Sequence, residues 1–179
     1  MEEGMEWMQQ VFSVCQMEML AKANEKTERF GLVLSQEEME ALLEQRKEIL
    51  KREERIEFGE GILPKLVYTF CDSGYLSQQD YADTLGRLQE IFYQFKNEMQ
   101  DRVTDEELLD FMREQFDEVC FGDLDYLEST CLDVFAQAIR AGYQGYHVTE
   151  GKSEYGKFDL ASRWDHEVYL EVLKELCWR

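Results

Sequence analysis

Proline is nearly missing from this sequence: Pro64 stands alone in 179 residues. Folded chains usually carry about 5% proline, so the shortage favours long uninterrupted helices. Histidine is almost as scarce, with only His147 and His166, and neither follows a glutamate by three residues. That spacing is what a carboxylate-bridged metal bundle requires, so no metal ligand and no cofactor is expected. No apolar run approaches the roughly 18 residues that a membrane span needs. The start, Met-Glu-Glu-Gly-Met-Glu, lacks the basic flank of a secretory signal, and a cytoplasmic location is the expectation. Cys15, Cys71, Cys120, Cys131 and Cys177 form no C-x-x-C pair. Most fall on or beside apolar stripes, where a thiol behaves as a small hydrophobe, so they read as reduced structural residues.

Bases are in short supply as well. Nineteen Lys and Arg face 39 Asp and Glu, a net charge of −20. Nucleic-acid backbones and anionic membranes are recognised by clustered Lys and Arg, so this balance speaks against both as partners. From Asn97 to Asp133 the chain holds thirteen acids against two bases, Arg102 and Arg113. Such a block serves as a solvated face that keeps a protein in solution. It also suits a docking surface for a basic protein partner, centred on Glu106, Asp110 and Glu114. With 44% hydrophobic and 13% aromatic residues, the chain has enough apolar surface for a core, which argues against a disordered acidic chain and for one domain spanning 1–179.

The stretch from Glu57 to Ser77, EFGEGILPKLVYTFCDSGYLS, organises the rest. Gly59 and Gly61 loosen the backbone, and Pro64 sits where a first helical turn tolerates it. Leu63, Leu66, Val67 and Phe70 follow at helical spacing and define a short apolar helix around which neighbours pack. Before it, Gly4 to about Asn24 puts Met5, Met8, Val11, Phe12, Cys15, Met19 and Leu20 on one face, expected to point into the core. Ser35 with Glu38 matches a capping box opening a helix toward Arg55, with Met39, Leu42, Leu43, Ile49 and Leu50 inward. Arg46 falls in that same stripe. Such an arginine either lays its stem on the core and sends its head to the rim, or is held by a buried carboxylate.

After the central helix, Ser77 with Asp80 is a start signal for a helix carrying Tyr81, Leu85, Leu88, Phe92, Phe95 and Met99 on one side. Thr104 with Glu107 is a further capping box, followed by Leu108, Leu109, Met112, Phe116 and Val119. Asp123 caps a sixth helix with Leu124, Leu127, Cys131, Phe135 and Ala138 inward. Gly142 to Arg163 lacks helical periodicity, and Tyr146-His147-Val148 with Glu154 to Phe158 reads as a small β-hairpin. Ser162 with Asp165 opens a terminal helix. The fold class is therefore all-α: an irregular bundle of about seven helices around a short central apolar helix, with one small hairpin.

Motifs of chemistry are weak. Gly59-Glu60-Gly61 has no preceding strand and no third glycine, and its acids would repel a phosphate. Asp117 to Glu128 has the acid, glycine and glutamate of a calcium loop, but Val119 and Phe121 offer no oxygen at positions three and five. Asp165, His166 and Glu167 are consecutive and diverge on a helix. Cys71 ends a helix, where the dipole raises a thiol pKa, so no activated nucleophile is indicated. No catalytic residue follows from the sequence.

The phrase EFGEGILPKLVYTFCDSGYLSQQDY, preceded by LSQEEMEALLEQRKEIL, resembles a family of helical proteins of anaerobic Gram-positive bacteria that is defined only as a domain of unknown function. The resemblance covers most of the chain from about Leu32 onward. It implies a bacterial cytosolic protein and supplies no activity, so no functional residue carries over from it.

Three function classes remain. The leading one is a non-enzymatic acidic helical module that holds a protein partner. The second is an enzyme or small-ligand binder with a pocket at the Tyr-rich 142–163 loop, lined by Tyr143, Tyr146, His147 and Tyr155. The third is a nucleic-acid mimic that presents the carboxylates of Asn97 to Asp133 at phosphate-like spacing.

Overall fold

Two capping boxes read from the sequence are built as expected in the computed structural model, which describes residues 2–57 and 61–142, without the side chains of 2–3, 5–10 and 12. The Ser35 hydroxyl accepts from the Glu38 N–H at 3.1 Å, and the Ser35 N–H donates to the Glu38 carboxylate at 2.8 Å. Thr104 and Glu107 repeat the exchange at 3.2 and 2.7 Å. Each box satisfies two otherwise orphaned donors, which is why the helices start where they do.

The described residues form six helices and no strand, so the all-α class holds. They are α1 (Glu2–Thr27), α2 (Gln36–Arg52), α3 (Leu63–Phe70), α4 (Tyr81–Glu98), α5 (Asp105–Glu118) and a composite α6. The last runs without a break through Leu124–Tyr126, the π-helical Leu127–Leu132 and Asp133–Arg140. Of the seven expected helices, the one after Ser162 lies outside the described residues, as does the expected hairpin. The chain divides into two compact units, Met1–Tyr93 and Gln94–Arg179.

In the first unit α1 packs against both α2 and α3. Leu66, Val67 and Phe70 of α3 are fully buried, as the spacing predicts. Pro64 occupies the first turn, where its missing N–H costs nothing. On the outer side of this packing Lys26 of α1 lies 5.3 Å from the centre of the Tyr68 ring of α3.

Two expectations for this unit fail. Val11 and Cys15 of the expected α1 stripe are exposed, Val11 by 46%, while Leu20 of the same stripe is buried. The buried line of α1 is Gln16, Leu20, Ala23 and Thr27, spaced four, three and four. Apolar periodicity in a methionine-rich segment located a stripe, but the stripe outruns the surface available to cover it. The start of α4 is the second correction. Ser77 donates to the Asp80 carboxylate at 3.4 Å and so does not cap, and the helix begins at Tyr81.

The link from α1 to α2 has no strand partner, yet its peptide groups are satisfied. Asn24 grips Leu34 through both atoms of its amide, at 2.7 Å to N–H and 2.9 Å to C=O. Gln78 grips Val33 in the same way at 2.7 Å for each bond. Thr27 donates to the Leu32 carbonyl at 2.9 Å. Side-chain amides thus take the place of a neighbouring strand on both sides of an extended segment.

In the second unit α5 packs against the π-helical piece of α6. Phe111 and Phe135 stack with centroids 3.9 Å apart and planes 14° from parallel. Lys96 is buried, bonded to the Asp105 carboxylate at 2.8 Å and to the Val103 carbonyl. It ties together the turn in which Gln100 and Asp101 both take left-handed backbone. Arg102 donates to the carbonyls of Ile139 and Arg140 at 3.3 and 3.4 Å. A cation there satisfies orphan acceptors and opposes the negative end of the α6 dipole.

Candidate functional site

The residues expected to form a partner surface do share one side of α5. Glu106, Asp110 and Glu114 recur every fourth position, so they form a row along the helix. Glu106 and Asp110 are exposed and Glu114 half-buried. Partial burial, and then the neighbouring Glu106, push the Asp110 carboxyl above its ordinary value. The row therefore holds like charges that repel, a condition that a bound cation relieves. Arg113, on the same helix, is bonded to Asp117 at 2.7 Å. Tyr143, Tyr146, His147 and Tyr155 lie outside the described residues.

Beyond α5 the chain turns sharply, with φ of 49° at Phe121 and 84° at Gly122. Left-handed backbone is costly for a bulky residue, and it persists only where the surroundings impose it. Here the Gly122 N–H reaches back to the Phe116 carbonyl at 2.9 Å and Asp123 caps α6, accepting from Asp125 and Tyr126 at 3.0 and 3.1 Å. The outcome is that Phe121 is 66% exposed, with Tyr126 also exposed five residues on. Asp123 and Asp125, both exposed, stand between the two rings in sequence. The sequence signal for this feature was the Val119–Phe121 interruption of the calcium-like pattern, which had no oxygen to offer. Among the described residues no group of His, Cys, Asp or Glu is placed to hold a metal ion.

The first unit contains a different polar cluster, around Arg46. This residue is 3% exposed, so its head does not reach the rim. Its Nη2 lies 3.5 Å from the Glu57 carboxylate, which also takes Arg55 Nε at 3.3 Å and the Tyr93 hydroxyl at 2.8 Å. Burial drives the Tyr93 phenol well above its ordinary pKa, with Arg46 acting in the opposite sense. Gly61 has φ of 78°, and a Cβ there would sit 2.6 Å from Arg46 Nε. Glycine is needed at this point for both conformation and space. The carboxylate comes into place because α2 ends in a Schellman turn. Arg55 N–H bonds to the Leu50 carbonyl and Glu54 N–H to that of Lys51, with Glu54 at φ 54°.

Beside this cluster α2 and α4 approach closely at Gly86, where a Cβ would lie 3.0 Å from Gln45 Oε1. Gln89, fully buried, donates to the Leu42 carbonyl at 3.2 Å and to Gln45 at 3.4 Å. An open groove of about 620 Å³ runs over this crossing, with Glu38, Ala41, Gln45, Ala82, Asp83 and Arg87 among its walls. Its lining mixes small residues with charges of both signs. It offers no converging set of groups for a reaction.

Among the described residues no helix is long and apolar enough to cross a membrane. No curated protein and no solved structure matches the chain. One family model, described as a family of unknown function (DUF6323), matches residues 19–145. That span begins near the end of the exposed part of α1 and takes in α2 to α6, with the Arg46 cluster, the acidic row and Phe121 inside it. The match covers well over half of the sequence, and the chain belongs to this family of unknown function, DUF6323.

Proposed function

We propose that this protein is a non-enzymatic helical interaction module, bacterial and cytoplasmic, whose acidic second unit receives a basic protein partner. The observation that carries this reading is Phe121, a large aromatic ring 66% exposed on left-handed backbone, followed two and four residues on by exposed Asp123 and Asp125. Exposed aromatic anchors are the residues from which protein interfaces draw most of their affinity. A ring held out at the expense of backbone strain points to a use for it. The row Glu106, Asp110 and Glu114 adds the electrostatic part, raising the encounter rate with a Lys- and Arg-rich face.

The test is charge reversal. Glu106→Lys, Asp110→Lys and Glu114→Lys together weaken capture of a basic partner by the immobilised chain, most at low ionic strength, with the helical circular dichroism unchanged. Capture that is unaltered assigns the row to solubility alone.

A further inference from the structure

Cys120 and Cys131 are both buried, and their sulfurs lie 3.6 Å apart in a thiol–thiol contact. One stands just past the end of α5, and the other in the π-helical piece of α6. We propose that these two thiols form an intramolecular disulfide when the protein meets a peroxide, a modification that latches the end of α5 to α6 around the Phe121 turn.

The geometry is close to what the bond needs. A disulfide holds its sulfurs about 2.05 Å apart, so closure requires about 1.5 Å of movement. Both backbones can supply it. Cys120 precedes the two left-handed residues Phe121 and Gly122. Cys131 lies where the α-helical ladder is already relaxed: Ser129 donates its hydroxyl to the Asp125 carbonyl four residues back, at 2.7 Å, and competes with the backbone for it. Pieces of π-helix of this kind are places where helices give.

The chemistry balances with peroxide as the oxidant. The Cys120 thiolate attacks one peroxide oxygen. An S–O bond forms, the O–O bond breaks, and hydroxide leaves and is protonated to water. The Cys131 sulfur then attacks the sulfenic sulfur of Cys120. The S–S bond forms, the S–O bond breaks, and the second oxygen leaves as water. Two thiols are oxidised, one peroxide is reduced, and the thiol protons end in the two waters. Burial, and next the neighbouring Cys131, hold the Cys120 thiol far above the usual range. Little thiolate is available, so oxidation is slower than at exposed Cys15. The same high pKa makes the Cys120 sulfur a poor leaving group, so the bridge, once made, is slow to open by attack at Cys131. The pair acts as a latch that responds to sustained oxidation. This inference stands on the thiol geometry and does not depend on Phe121 binding a partner.

The test treats the reduced full-length chain with hydrogen peroxide, quenches it, unfolds it and alkylates the remaining thiols. The expected result is a monomer in which Cys120 and Cys131 no longer alkylate once Cys15 has been oxidised, with a cross-linked peptide pair containing 120 and 131. In a portion kept folded after oxidation, chymotryptic cleavage after Phe121 slows. A Cys15→Ser, Cys71→Ser, Cys177→Ser chain forms the same bridge, and adding Cys120→Ser abolishes it. The proposal is overturned if 120 and 131 both still alkylate after Cys15 is fully oxidised. Sulfinic acid at either residue without a bridge overturns it equally, as do disulfide-linked dimers in place of the internal bond.

Discussion

The guanidinium of Arg46 lies 3.5 Å from the Glu57 carboxylate, eleven positions further along the chain and past the end of the helix that carries it. Gly61 leaves just enough room for it. Removing one partner of a fully buried pair costs about 3–5 kcal/mol, because the other charge is left uncompensated. Glu57 keeps 22% side-chain exposure, so water can partly replace it. Glu57→Ala is expected to cost about 2–3 kcal/mol in urea melts, below that range. Arg46→Met with Glu57→Gln removes both charges of this pair and still leaves an amide oxygen to accept from Tyr93 and from Arg55. That double variant is expected to melt close to the parent, and a loss as large as the sum of the single variants would contradict the pairing.

Burial of Tyr81 and Tyr93 is expected to make the fold less stable at alkaline pH. Tyr81 is pushed from its ordinary 10.0 up to about 12 by burial, and Tyr93 is raised further in the same direction. A phenol whose pKa is higher folded than unfolded favours the native state fully below pH about 10. Above that the unfolded chain loses its protons first, so stability falls as the pH climbs toward 12 and beyond. Phenolate absorbance should show late-titrating tyrosines that ionise together with loss of helicity, and Tyr93→Phe should remove one of them. Ionisation of all nine tyrosines near pH 10 with helicity intact would refute this.

Glu54 occupies the left-handed position of the Schellman turn that closes α2, with φ of 54°. Left-handed backbone costs a residue with a side chain about 1–2 kcal/mol, part of which glycine returns as added unfolded-state entropy. Glu54→Gly should stabilise the protein by up to about 1 kcal/mol. Ser35→Ala and Thr104→Ala should each destabilise by about 1 kcal/mol through loss of a cap. Thermal melts distinguish the two signs.

Phe70 is fully buried and belongs to an eight-residue helix. Helices this short are not stable alone, so α3 owes its existence to packing. Phe70→Ala should cost about 3–5 kcal/mol. Tyr75, exposed just beyond the helix, can be truncated to alanine within about 0.5 kcal/mol. Equal melts for the two variants would remove α3 from the centre of the first unit.

What the sequence could reveal follows from the range of the forces involved. Capping boxes at Ser35 and Thr104, the proline at the start of α3 and the stripes of α2, α4 and α5 are local patterns, and all are present in the fold. Arg46 was identifiable as an anomaly in an apolar stripe, with a buried carboxylate one of its two expected fates; the carboxylate it meets is half-buried. That the carboxylate is Glu57 depends on the left-handed turn at Glu54, which glutamate does not advertise. The stripe of α1 misled because periodicity shows which side of a helix is apolar and says nothing of how far the neighbours extend. The contact between Cys120 and Cys131 spans a break between helices, beyond the reach of any spacing rule. Phe121 was visible only as a residue unsuited to a calcium loop.

The most direct test of the proposed role replaces Phe121 with a photo-cross-linking phenylalanine analogue in the full chain, with a matched label at exposed Val33 of the first unit as control. After irradiation with the candidate partner, the account predicts cross-links at 121 to a Lys- and Arg-rich segment. Their yield should fall as ionic strength rises from about 0.1 M to about 0.5 M, and again when Glu106, Asp110 and Glu114 are reversed. Cross-linking at 33 should stay at background. Equal yields at the two positions, or a yield at 121 indifferent to both salt and charge reversal, would contradict an aromatic anchor set in an acidic docking surface.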